Sequence, residues 1–289
     1  MDDLNISKEL LSKSKNLFVQ IVKKQLGPSE LDKVIVDAHQ KFLFDVIEKR
    51  KDKDDMQTFM FLCNYKRIVK EYQRCKKVCD LAAEFLSEDA RPEDVDEDWI
   101  NVFFDKVKLI SSEQLQFLWC RILAEEMNKP GCISFSLLHA ISMMGSTEAY
   151  SFCNLARFGF REYKGDSYHP LVFISSDPEA YKDSGITYSV LRTLERLGLI
   201  YCNFPNEYIF DKRKRLISGN HVVDVLGDPN NGKRILAGNV IFTEDGKQLH
   251  AIVGDEFKRY RQDILDFTLQ RLIQRHCTVY LNGKLLPRK

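Results

Sequence analysis

The sequence predicts an α+β chain that is predominantly α-helical: an N-terminal helical arm and a helical module, followed by a C-terminal domain built on an elaborated antiparallel sheet. Three observations predict it. From Ser29 to Ser87 the chain has neither glycine nor proline, and apolar residues recur at helical spacing. Between Ser111 and Thr147, polar capping residues precede one short apolar periodic segment after another. After Gly185 the pattern shifts to short β-branched runs separated by turn residues. The expected organisation is an arm with an acidic linker over 1–96, a helical module over 97–160 and the α+β domain over 161–289.

The chain has 289 residues, 44% hydrophobic and 29% charged, a composition that buries a core and lies far from that of disordered chains. Its 43 basic and 42 acidic residues leave a formal charge of +1, so no global field draws it to nucleic acid or an anionic membrane. The N-terminal stretch MDDLNISKELLSKSKNLF lacks an uninterrupted apolar region, and no uncharged apolar run approaches the roughly 20 residues that cross a bilayer. A cytoplasmic protein with no membrane partner is expected. The eight cysteines are scattered and read as free thiols. Cys75 and Cys79, spaced i and i+4, have no second ligand pair, so neither a metal nor any other cofactor is expected.

Residues 5–25 read as a helix that Gly27-Pro28-Ser29 ends before a second begins. The stretch 29–87 is one long helix or two stacked ones, with Leu31, Val34, Phe42, Met56, Phe59, Leu62, Ile68, Val78 and Leu81 among its apolar positions. Lys49 to Asp55, charged throughout, is either a solvated segment or the turn between antiparallel arms. Such an arm offers a surface for self-association. Ser87 to Asp98 packs seven acids and a proline into twelve residues and reads as a boundary linker.

The module opens with Trp99, Val102, Phe103, Val107 and Ile110 on one amphipathic helix. Ser111 and Gln114 suggest a capping box for the next, whose apolar face runs through Leu115, Leu118, Trp119, Ile122 and Leu123 to a carboxylate, Glu126. Asn128-Lys129-Pro130-Gly131 stops it. Ser134 and then Ser146-Thr147 are placed to cap two further helices. Glu126 is the residue with catalytic promise, because a carboxylate ending an apolar face is desolvated. No histidine, cysteine or second carboxylate is spaced to assist it, so no catalytic residue is assigned.

These residues resemble the bacterial family of domain of unknown function 2806, itself similar to the abortive-infection alpha (Abi-alpha) proteins. The resemblance rests on Trp99, Phe103-Phe104-Asp105, Ser111 or Ser112 with Glu113, Gln116, Leu118-Trp119, Ile122-Leu123-Ala124, Glu126, Pro130-Gly131 and Ser134. Glu125 stands where that family has a small residue. The resemblance implies a cytoplasmic bacterial protein without an assigned activity, used in defence against phage, in which Trp99, Phe103, Gln116, Trp119, Glu126, Pro130 and Gly131 are structural. A non-enzymatic interaction or sensing protein with a protein partner is the reading that follows.

In the C-terminal domain, Ile186, Val190, Leu191, Leu194 and Leu197 mark a helix that Gly198 ends before the strand Leu199-Ile200-Tyr201. This junction resembles that of winged-helix domains, and Val240-Ile241-Phe242 before Thr243 looks like the last strand of the wing. Between them, Tyr208–Phe210, Leu216-Ile217, Val222–Leu226 and Arg234–Leu236 read as added strands, Asn231-Gly232 as a hairpin turn. A last helix is expected over 256–276 and a hairpin at Asn282-Gly283. Lys212-Arg213-Lys214-Arg215, with Arg192 and Arg196, is the candidate nucleic-acid patch, since a basic wing lies along a phosphate backbone. A nucleic-acid-binding regulator is therefore the alternative function.

Overall fold

The computed structural model describes residues 55–165, 167–175, 178–253 and 262–287. The readings on residues 1–54, and on the start of the last helix, lie outside them. The chain divides into two compact units, one ending at Phe135 and one running from Ser136.

The first unit is helical. Helix α1 (Asp55–Ala82) continues into a single 3₁₀ turn, Ala83–Phe85, and is followed by α2 (Glu97–Val107) and α3 (Glu113–Asn128). The C-terminal turns of α1 bury Val78, Cys79 and Ala82, α2 buries Trp99, Phe103 and Val107, and α3 buries Trp119, Ile122 and Leu123. These positions recur at three and four residues, so each helix turns one apolar stripe inward. Asp96 caps α2 by accepting from the Trp99 amide at 2.8 Å. The acidic stretch 87–98 is less detached than its composition suggests. Its Val95 is buried, the Ser87 amide donates to Asn128 at 2.7 Å and the Arg91 amide to the Met127 carbonyl at 2.8 Å. A few backbone bonds and one apolar anchor thus hold a segment whose acids face water.

The second unit opens with α4 (Phe135–Ser142, from Ser136 on) and α5 (Ser146–Ala156). Its main sheet has six antiparallel strands in the order β10-β9-β6-β5-β1-β2: β1 (Gly159–Glu162), β2 (Tyr168–Pro170), β5 (Arg213–Ser218), β6 (His221–Leu226), β9 (Thr278–Leu281) and β10 (Lys284–Leu285). Helix α8 (Gln262–Gln274) lays Leu265, Leu269 and Leu272 against Phe160, Leu216, Val223, Val225 and Val279, the core of the unit. Helix α6 (Tyr188–Arg196) leads into β3 (Ile200–Cys202). This strand pairs with β8 (Val240–Phe242) ahead of α7 (Glu244–Ile252), while β4 (Ile209–Phe210) pairs with β7 (Ile235–Leu236). The protein is thus α+β and helix-dominated, as its patterning predicts.

Several local expectations are corrected. The cap of α3 is Ser112 rather than Ser111, and that of α5 is Gly145, whose amide donates to Glu148 at 3.0 Å. Asn231-Gly232 closes a 3₁₀ turn between strands of different sheets, not a hairpin, because β6 pairs with β5 and β9 and β7 pairs with β4. The tight turn of this region is instead Gly219-Asn220, joining Ser218 to His221. Strands β1 and β2, too short to show a period, were absent from the expectation. Asn282-Gly283 does form the last hairpin, both residues at positive φ as a type I′ turn requires.

Thr243 ties the helix-to-strand junction to α7. Its hydroxyl donates to the Gly198 carbonyl at 2.6 Å and accepts from the Gly246 amide at 2.9 Å. A Cβ on Gly246 would stand 1.8 Å from the Leu199 carbonyl oxygen, so only glycine lets α7 approach that strand. Gly246→Ala is expected to lower stability by at least about 1–3 kcal/mol, the usual cost of overpacking, read as a lower urea midpoint with an unchanged slope.

Candidate functional site

The motif residues converge within the first unit. Glu126, on the last turn of α3, is 1% exposed. Its two carboxylate oxygens accept from the amides of Gly131 at 2.6 Å and Ile133 at 2.9 Å. Gly131 holds φ +81°, a left-handed conformation that glycine adopts without strain, and this bends 129–133 back over the helix end. Burial pushes the Glu126 carboxyl above its ordinary range, and the two amides, which favour the ionised form, oppose that push without cancelling it. Ile133 also accepts a hydrogen bond from the Trp99 indole at 3.0 Å. Trp99 stacks on Phe103 with ring centres 5.2 Å apart, and Phe103 meets Trp119 edge-on at 5.4 Å. Gln116 donates to the Ile110 carbonyl at 3.0 Å and so clamps the α2–α3 connection. Pro130 is half-buried beside Gly131.

This arrangement closes loops. Both oxygens of Glu126 face backbone amides, and the Cys132 thiol beside it also bonds the carboxylate, so it lacks the open position a general base needs beside a substrate proton. Five of the thiols are no better placed for chemistry. Burial pushes Cys75, Cys120, Cys132 and Cys202 up to about 12 and Cys153 up to about 11, which suppresses the thiolate that a nucleophile or metal ligand requires. All eight cysteines are free.

The basic residues are distributed differently from the single patch the sequence suggests. Lys212 precedes β5 and is exposed, whereas Arg213, Lys214 and Arg215 lie on the strand, where alternate residues face opposite sides. Arg215 makes two bonds to Asp224, at 2.8 and 2.9 Å, and Arg213 reaches the same carboxylate at 3.2 Å. Lys214, on the other face, pairs with Glu162 of β1, which lies 3.8 Å from His169. On α6, Arg192 bonds Glu195 at 2.6 Å and sits over the Phe204 ring, while Arg196 is exposed one turn farther on. Asp224 and Glu162 were missed by sequence reading. A hairpin at Gly219-Asn220 would have revealed the first, because a register with Ser218 opposite His221 puts Arg215 opposite Asp224.

The family described as "Protein of unknown function (DUF2806)" matches residues 65–264. The chain belongs to this family. The match spans both units and so reaches well past the residues that carry the resemblance, into the strands around Asp224. No curated protein and no solved structure matches the chain. Among the described residues no helix is long and apolar enough to cross a membrane.

Two tests follow from this geometry. Glu126→Ala strands the Gly131 and Ile133 amides and is expected to cost about 2–4 kcal/mol in urea unfolding, as for buried donors that lose a charged acceptor. For Asp224, the Arg215 guanidinium, with help from Arg213, holds the carboxyl below its ordinary 3.8. A depressed folded pKa gives stability that is present above 3.8 and lost as pH falls through the lower folded value. Asp224→Asn should therefore remove part of the acid-side decline in stability below about pH 4.

Proposed function

We propose that this DUF2806 protein is a non-enzymatic interaction or sensing protein of the bacterial cytoplasm, acting through a protein partner. The observation that carries this reading is Glu126: the most reactive-looking residue of the motif is sealed and held by two backbone amides, so the motif serves a frame and not a reaction. Its resemblance to the abortive-infection alpha proteins points to defence against phage, an argument from likeness. A challenge of cells with and without the gene by a phage panel reads that part.

A second reading, a nucleic-acid-binding regulator, is favoured by Arg192 and Arg196. They stand i and i+4 on α6, immediately before the paired strands β3 and β8, which supports reading the junction as a helix leading into a wing. Against it, Arg213, Lys214 and Arg215 already face carboxylates, which lowers their net pull on phosphate. The discriminating measurement is binding of labelled single- and double-stranded DNA and RNA across a salt series, for the wild type and Arg192→Glu/Arg196→Glu. Reversing the Arg213–Arg215 charges is the poorer variant, because it would set new carboxylates against buried Asp224. No binding at low salt is the expected outcome. Binding that weakens with salt, by a logarithmic slope of about −0.9 per duplex phosphate contacted, and that is lost in the variant would install the regulator instead.

A further inference from the structure

Within the second unit, the first two turns of α5 and of α6 line a cleft of about 190 Å³. Four hydroxyls face it, those of Thr147 and Ser151 on α5 and of Ser189 and Thr193 on α6, together with the Glu148 carboxylate and an apolar strip of Val190 and Leu194. Ser151 decides how the cleft is read. It is only 8% exposed, and among the described residues its hydroxyl meets no hydrogen-bond partner. A buried hydroxyl left unpaired costs free energy, which a polar molecule seated beside it restores. The Thr193 hydroxyl donates to the Ser189 carbonyl at 3.1 Å, which leaves its oxygen to accept from the cleft.

The lining narrows the chemistry of what fits. Among the described residues around the cleft there is no lysine, arginine or histidine, so a phosphate or carboxylate would meet no cation and would face Glu148. A cation fares no better. One Glu148 oxygen already accepts from the Gly145 amide at 3.0 Å, and the N-terminal ends of two helices, positive by their dipoles, flank the site. No aromatic ring among these residues offers a nucleobase a stacking face. What the lining satisfies is a neutral ligand with several hydroxyls, because each of them both donates and accepts: it can donate to the second Glu148 oxygen and exchange bonds with the serines and threonines. Val190 and Leu194 then cover its C–H face. The volume exceeds the about 150 Å³ that holds a benzene ring, so one substituted ring fits.

We propose that the α5–α6 cleft binds a neutral polyhydroxylated ring, a single sugar or cyclic polyol, with the Ser151 hydroxyl and Glu148 carboxylate as its principal contacts. The proposal rests on the sensing side of the reading above and gives it a ligand class.

Nuclear magnetic resonance of the full chain, titrated with D-glucose, D-ribose and myo-inositol and separately with methylammonium and inorganic phosphate, tests it. At least one of the three polyols should shift the amides of 147–151 and 189–194 saturably, and neither ion should. Ser151→Ala should raise the dissociation constant by about tenfold, the worth of one good hydrogen bond, while melting no lower than the wild type, since alanine favours the helix and the lost hydroxyl had no partner. Glu148→Gln keeps the helix cap, because glutamine serves that position as well, and should weaken binding by about threefold or more through loss of the charged acceptor. Binding of none of the three polyols, polyol binding indifferent to Ser151→Ala, or shifts at the same amides from methylammonium or phosphate instead would overturn the proposal. Each of those results leaves the protein-partner reading standing, because that reading falls to salt-sensitive nucleic-acid binding.

Discussion

Ile133 is bonded in both directions, its amide to the Glu126 carboxylate and its carbonyl to the Trp99 indole, and the first unit is organised around those two bonds. One residue outside any helix thereby joins the end of α3 to the start of α2. The carboxylate is expensive to bury alone, and it is tolerated because two amides that would otherwise be unpaired supply its ligands. The stacked Trp99 and Phe103 and the edge-on Trp119 then fill the space these bonds enclose. Taking away any member exposes the others: without Glu126 the turn at Gly131 has nothing to close on, and without that turn the indole has no acceptor.

The second unit solves a different problem, that of placing a basic run in the middle of a sheet. Arg213, Lys214 and Arg215 occupy successive positions of β5, and the strand period sends them to both faces. Asp224, opposite Arg215 on β6, and Glu162 on β1 receive them. Cross-strand pairs of opposite charge stabilise a sheet modestly and set its register, since a slip of one residue would bring Arg215 opposite an apolar neighbour. Three of the four residues of the basic run, Arg213, Lys214 and Arg215, thus pair with carboxylates of neighbouring strands.

Together these features separate the groups that hold the protein's shape from those that face water. The tryptophans, Gln116, Glu126 and Gly131 hold shape, as do the paired cations of β5. Facing water beside them are Met56, Phe59 and Met60 of α1 and Arg196 of α6.

Periodicity and turn residues were enough to read the helices α2 to α6, the strands β3 to β8 in outline and the Asn282-Gly283 hairpin, because each is a local consequence of side-chain spacing. The family motif was equally legible as wording, and its aromatic positions as core. What the sequence could not supply was partnership across distance. That Glu126 meets amides at 131 and 133, that Ile133 serves Trp99, and that Asp224 neutralises Arg213 and Arg215 all depend on where a turn reverses the chain. Gly219-Asn220 carried the signal for one such turn, whereas Asn231-Gly232 looked like another and was not, its flanking strands having better partners elsewhere. Strands β1 and β2, three or four residues long, have no period to read; β1 pairs with the edge of β5 and β2 in turn with β1. Composition and spacing by themselves determined the helix-dominated α+β class; the tertiary structure alone decided which polar groups are satisfied inside it, since a hydrogen bond between distant residues leaves no trace in the order of the chain.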